Sequence, residues 1–104
     1  MIAYKVTYEG RSVNAPARGV VRYAIGETTS RPKGCGPLAV FDTLDHAAAF
    51  LVENTNGFPY HAIFECHIRK SRATKLWTSN DSISGWLPTG TILANTVTPL
   101  RRVR

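Results

Sequence analysis

Residues 38–69 read LAVFDTLDHAAAFLVENTNGFPYHAIFECHIR, and this stretch decides the fold. Leu38-Ala39-Val40-Phe41 is a short apolar strand. Asp42 or Thr43 then offers a side-chain oxygen to the orphan N–H groups of a first helical turn. Leu44, Ala47, Ala48 and Leu51 follow at helical spacing as one stripe, flanked by Phe50 and Val52, while Asp45, Ala49 and Glu53 face away. This pattern predicts a helix over about 43–54. Asp45 suits the positive end of its dipole. Asn54-Thr55-Asn56-Gly57 ends it, with Gly57 available for a left-handed cap. Ala62, Phe64, Cys66 and Ile68 then alternate with His61, Ile63, Glu65, His67 and Arg69, the longest strand signal in the chain. The connection between the two strands is long enough for a right-handed parallel crossover and equally compatible with an antiparallel return.

Upstream, Ile2, Tyr4, Val6 and Tyr8 alternate with Ala3, Lys5, Thr7 and Glu9, as in a half-buried strand. A turn at Glu9-Gly10-Arg11 leads to a short return strand over 12–15, which Pro16 stops or places at an edge. Val20 to Ile25 reads as another strand. Residues 26–37, GETTSRPKGCGP, form a loop by composition. Downstream, Leu76-Trp77 suits a short strand and a helical turn fits around Ser82. Thr91 to Val97 reads as a strand weakened by Asn95 and broken by Pro99. Leu100 to Arg104 is then an edge strand or a tail.

A chain of 104 residues with 43% hydrophobic content has the size and composition of one globular domain, 1–104, with one core. The longest apolar run, Ala47 to Val52, is far short of the about 20 residues of a membrane span. Tyr4, Lys5 and Thr7 interrupt any signal-type apolar segment, so no membrane partner and a cytoplasmic location are expected. Two cysteines make no disulfide framework. In a reducing compartment Cys66 reads as a small buried hydrophobe and Cys35 as a loop thiol, and a single Cys35–Cys66 bridge stays open as the alternative. No metal-ligand spacing or cofactor motif is present, so no metal and no cofactor are expected.

Charge is distributed unevenly. Residues 1–65 carry six basic and six acidic side chains. Residues 66–104 carry Arg69, Lys70, Arg72, Lys75, Arg101, Arg102 and Arg104 against Asp81 alone, so the full +6 resides there. A field of one sign attracts anions, and clustered Lys and Arg are the first requirement of nucleic-acid binding. Trp77 and Trp86 follow the first cluster and could serve as stacking platforms. If the terminal strand ends at the same rim as the 69–75 connection, the two clusters form one patch. If the ends are opposite, they form two dilute solvated spots, and the nucleic-acid reading loses most of its support.

Two other constellations carry chemistry. Strand alternation sets His61, Glu65, His67 and Arg69 on one face, where two imidazoles and a carboxylate could hold a divalent metal or act as general acid and base. Packing of the helix on the Ala62/Phe64/Cys66/Ile68 face would leave that row simply wetted. In the loop, Thr28, Thr29, Ser30, Arg31, Lys33, Gly34 and Gly36 could cradle a phosphate, but the spacing is not that of a phosphate loop.

The resulting expectation is an α+β domain. One main helix packs on a mostly antiparallel sheet of five or six strands, with a partly open barrel as the alternative. Expected core residues are Tyr4, Val6, Val21, Tyr23, Leu38, Val40, Leu44, Ala48, Leu51, Phe64, Cys66, Ile68, Ile92 and Val97. The functional expectation is a non-enzymatic binding or adaptor module using the basic C-terminal part, with nucleic acid or an acidic protein as partner. A homodimer joined through exposed strand edges near Pro16 and Pro99 fits the same reading. The alternative is a small enzyme or metal site on His61, Glu65 and His67.

Overall fold

The computed structural model describes residues 1–12, 21–55, 61–73, 76–77, 82–83 and 87–104. The order of elements is β1 (Ile2–Tyr8), β2 (Arg11–Ser12), β3 (Thr29–Ser30), β4 (Leu38–Phe41), α1 (Leu44–Thr55), β5 (His61–Lys70), β6 (Leu76–Trp77), β7 (Ser82–Ile83) and β8 (Thr91–Arg102). The α+β class holds, with one helix and a dominant antiparallel sheet. β6 and β7 pair only with each other, so a strand stands where a helical turn around Ser82 was expected. Residues 21–25 are not a strand either. Arg22 makes an isolated bridge to Arg11, Tyr23 is buried, and Ile25 is exposed. The caps and breakers at Pro16 and Gly57 lie outside the described residues, as does most of the 12–15 return strand.

The sheet closes on itself. β1 pairs β5, β5 pairs β8, β8 pairs β4 and β4 pairs β1, all antiparallel. From Tyr4, one route around the ring passes Glu65 to Arg101 and the other passes Phe41 to Thr91, ten residues apart on β8. Closing a sheet demands such a stagger. Three seams are laddered over several residues, but β1 meets β4 only at the pair Tyr4–Phe41. Beyond that pair the two strands diverge, and β2 and β3 flank the widened end.

Closure gives the sheet an inside and an outside, and each has its own core. Ala3, Tyr23, Leu38, Val40, Cys66, Ile68, Ala94 and Val97 fill the interior, joined by Val21, Phe64 and Ile92. Val6, Phe41 and Ile63 lie outside, beneath Ala47 of the helix, with Tyr4, Leu44, Ala48, Phe50, Leu51 and Val103 around them. Every expected core residue belongs to one of these clusters. The helix, however, covers the Ile63 face of β5 and not the Phe64/Cys66 face. Ala47 has no exposed surface, and this small side chain lets the helix sit close over Ile63. Burying Ile63 fully contributes about 2 kcal/mol, enough to favour the outer face as the docking surface.

The least expected consequence concerns β1. Its polar-looking side chains Lys5 and Thr7 point inward with Ala3, at 8%, 0% and 0% exposure, while Ile2 and Tyr8 are exposed. Both cysteines are buried thiols and no Cys35–Cys66 bridge forms.

β8 passes straight through Pro99 instead of breaking. Glu65 pairs with Arg101 but its neighbour Cys66 pairs with Pro99, so Leu100 is the extra residue of a β-bulge. A bulge is where a strand tolerates a residue without an N–H. On its other side, the Pro99 carbonyl accepts the Gly26 N–H at 2.8 Å, so Pro99 is not an edge position. A second bulge leaves Asn95 extra between Thr96 and Ala94.

Candidate nucleic-acid interface

The basic side chains follow β5 and β8. Arg69 and Lys70 end β5, and Arg72 lies just beyond, all three exposed. Arg101 and Arg102 end β8 opposite Glu65 and Phe64. Arg104 continues the ladder, its carbonyl accepting the Ile63 N–H at 3.1 Å. The two clusters therefore lie apart along β5, one at its C-terminal end and the other beside residues 63–65. Arg69 stands four residues along β5 from the partner of Arg101, roughly 13 Å at strand rise. From Lys70 to Ile63 the run is roughly 23 Å. The condition for a single patch is not met, so the expectation of a nucleic-acid surface is weakened. Lys75, Trp86 and Asp81 lie outside the described residues, as do the side chains of Trp77.

Alternation puts Arg69 and Arg101 on the outer face, the same face as Glu65 and His67. On this face His67, Arg69 and Arg101 are exposed and Glu65 is half-buried. The Arg101 Nε–H donates to Glu65 Oε2 at 2.9 Å. That bond, together with the carboxylate charge, raises the Arg101 pKa above its ordinary value. Glu65 takes only Nε, so the terminal nitrogens of Arg101 have no protein partner among the described residues. Arg102 Nε donates to the Arg104 carbonyl at 3.0 Å. Arg69, Lys70 and Arg72 make no ion pair among the described residues.

His61, Glu65 and His67 do share one face of β5, and each has a different neighbour. The His61 ring lies 4.9 Å from the Tyr8 ring. Glu65 holds Arg101, and His67 Nε2 lies 3.4 Å from the Met1 amine. No group of three metal-ligating side chains converges among the described residues.

The loop that might cradle phosphate is pinned along β8. Thr28 Oγ1 bonds Thr98 Oγ1 at 2.8 Å, Thr29 Oγ1 donates to the Arg22 carbonyl at 2.9 Å, and the Arg31 N–H donates to the Asn95 carbonyl at 3.2 Å. These side-chain hydroxyls are already engaged by protein.

Two polar sites went unnoticed in the sequence. The first is a cap around His46. Thr43 is the true N-cap, its Oγ1 accepting the His46 N–H at 3.1 Å. The His46 Nδ1–H donates to Asp42 Oδ1 at 2.6 Å, and this bond lowers the Asp42 pKa. Gly90, at φ 84°, lies directly against the pair. Asp42 and His46 stand four apart at a helix start, a spacing that brings side chains together and was readable. The second is Lys5, whose Nζ donates to the Ala39 carbonyl at 2.7 Å and lies 5.1 Å from the Tyr23 ring centroid. Burial pulls its pKa down to about 8. Burial likewise pushes the nearby Cys66 thiol up to about 11. No local signal marks Lys5, because a lysine in an alternating strand ordinarily faces water.

No helix among the described residues is long and apolar enough to cross a membrane. Comparison with protein-family models, curated proteins and solved structures gives no match.

Proposed function

We propose that this chain is a non-enzymatic binding module that lays an extended polyanion, single-stranded nucleic acid, along β5 and β8. The observation that carries this reading is the set of exposed basic groups Arg69, Lys70, Arg72, Arg101, Arg102 and Arg104 on and just beyond these two strands, with Arg69 and Arg101 on the outer face. They stand in two groups and not in one patch, which removes much of the support a merged patch would give, and a ligand that uses both must be extended. The one acid between them, Glu65, is already engaged by Arg101. The exposed His67 imidazole lies two residues from Glu65 along β5, so one flat ring stands beside the charges for base stacking.

Fluorescence anisotropy with labelled single-stranded DNA and RNA of about ten nucleotides tests this, a length within the site size of small single-strand-binding folds. Binding should appear at low salt and weaken at least tenfold in the R69A/K70A/R72A variant. Equal affinity in wild type and variant overturns the reading.

A further inference from the structure

A buried ammonium ordinarily has a carboxylate partner, because an isolated charge inside a protein is costly. Lys5 has none. Its described partners are one carbonyl, that of Ala39, and one aromatic ring, that of Tyr23. An ammonium has three N–H donors, so two are left over. Two residues along the same inner face stands Thr7, fully buried, whose Oγ1 has no hydrogen-bond partner among the described residues. Cys66, registered opposite Ala3, cannot serve as counter-ion, because burial keeps its thiol protonated. The thiol also donates to the Phe64 carbonyl at 3.4 Å. Small side chains stand opposite Thr7 (Ala62) and next along the inner face from Lys5 (Ala3, Cys66), while Phe64 is registered opposite Lys5 itself.

A buried polar atom without a partner calls for an explanation, and an unseen ion is one of the standard ones. The environment here is rich in donors, poor in acceptors, and carries one uncompensated positive charge. We propose that the barrel interior between Lys5 and Thr7 binds one small monovalent anion of halide type, which accepts hydrogen bonds from Lys5 Nζ and Thr7 Oγ1. A water molecule satisfies the same donors less well, since it leaves the charge uncompensated and needs acceptors for its own hydrogens.

Bromide is the probe. Crystals of the full chain grown in sodium bromide should show an anomalous peak within hydrogen-bond reach of Lys5 Nζ and Thr7 Oγ1. In solution, exchanging sodium gluconate for sodium bromide at equal ionic strength should raise the Tm of the wild type by roughly 5 °C or more once bromide is well above its Kd. The rise should vanish in Lys5→Met and shrink in Thr7→Val, two substitutions of similar size to the native residues. A water in place of the anomalous peak, or an equal Tm rise in wild type and both variants, overturns the proposal.

Discussion

Lys5 carries the largest residue-scale consequence. Its ammonium is desolvated inside the barrel, and its folded pKa of about 8 lies below the ordinary 10.5. Between these values the unfolded chain holds a proton that the folded chain has released, so stability rises with pH across that window. Below about pH 8 both states are protonated and the full burial penalty applies. Lys5→Met removes the penalty but also the bond to Ala39. In gluconate buffer the variant should be at least as stable as wild type at pH 7. Its advantage should fall by about 3 kcal/mol as pH rises from 8 to 10.5. Cys66 works in the opposite sense, since its raised pKa favours unfolding at high pH, but this is common to both chains. Urea titrations at pH 7, 9 and 10.5 measure the difference. A constant difference contradicts the assignment of Lys5 to the interior. At the helix start, Thr43→Ala removes the acceptor for the His46 N–H and should cost about 1 kcal/mol by the same method.

At the scale of elements, the junction of β4, α1 and β8 depends on Gly90. A Cβ there would fall 2.3 Å from His46 Nδ1 and 2.6 Å from Asp42 Oδ1, on a backbone already at φ 84°. Gly26 has nearly the same φ, 81°, with nothing within 4 Å of a built Cβ. Gly90→Ala should therefore destabilise by more than about 2 kcal/mol, and Gly26→Ala by about 1 kcal/mol from backbone strain alone. Equal losses in thermal unfolding would show that the cap does not need the close approach. The elements themselves were largely readable. Period two in Ile2–Tyr8 and His61–Arg69, and the Leu44/Ala47/Ala48/Leu51 stripe, are local patterns produced by burial on one side. Two features were not. Pro99 reads as a strand end, because its tolerance depends on a bulge at Leu100 and on Gly26 from a distant segment. Ring closure through Tyr4–Phe41 is one long-range pair with no local signature. Without closure, Lys5 and Thr7 can only be read as a wet face.

At the scale of the whole molecule, the net charge of +6 was legible by counting, and its arrangement was not. Which basic groups are neighbours depends on the β5–β8 register, which the bulges at Leu100 and Asn95 shift twice. That register sets Arg101 beside Glu65 and Arg69 roughly 13 Å further along, giving a strip and not a patch. An extended ligand should then draw on both ends together. The most direct test is the salt dependence of single-stranded oligonucleotide binding for the wild type, R69A/K70A/R72A and R101A/R102A/R104A. With six exposed basic groups engaged, log Kobs against log salt should have a slope of about −4 for the wild type and about −2 for either triple variant. A slope near zero, or one triple variant binding as tightly as wild type, would contradict a single strip spanning β5 and β8.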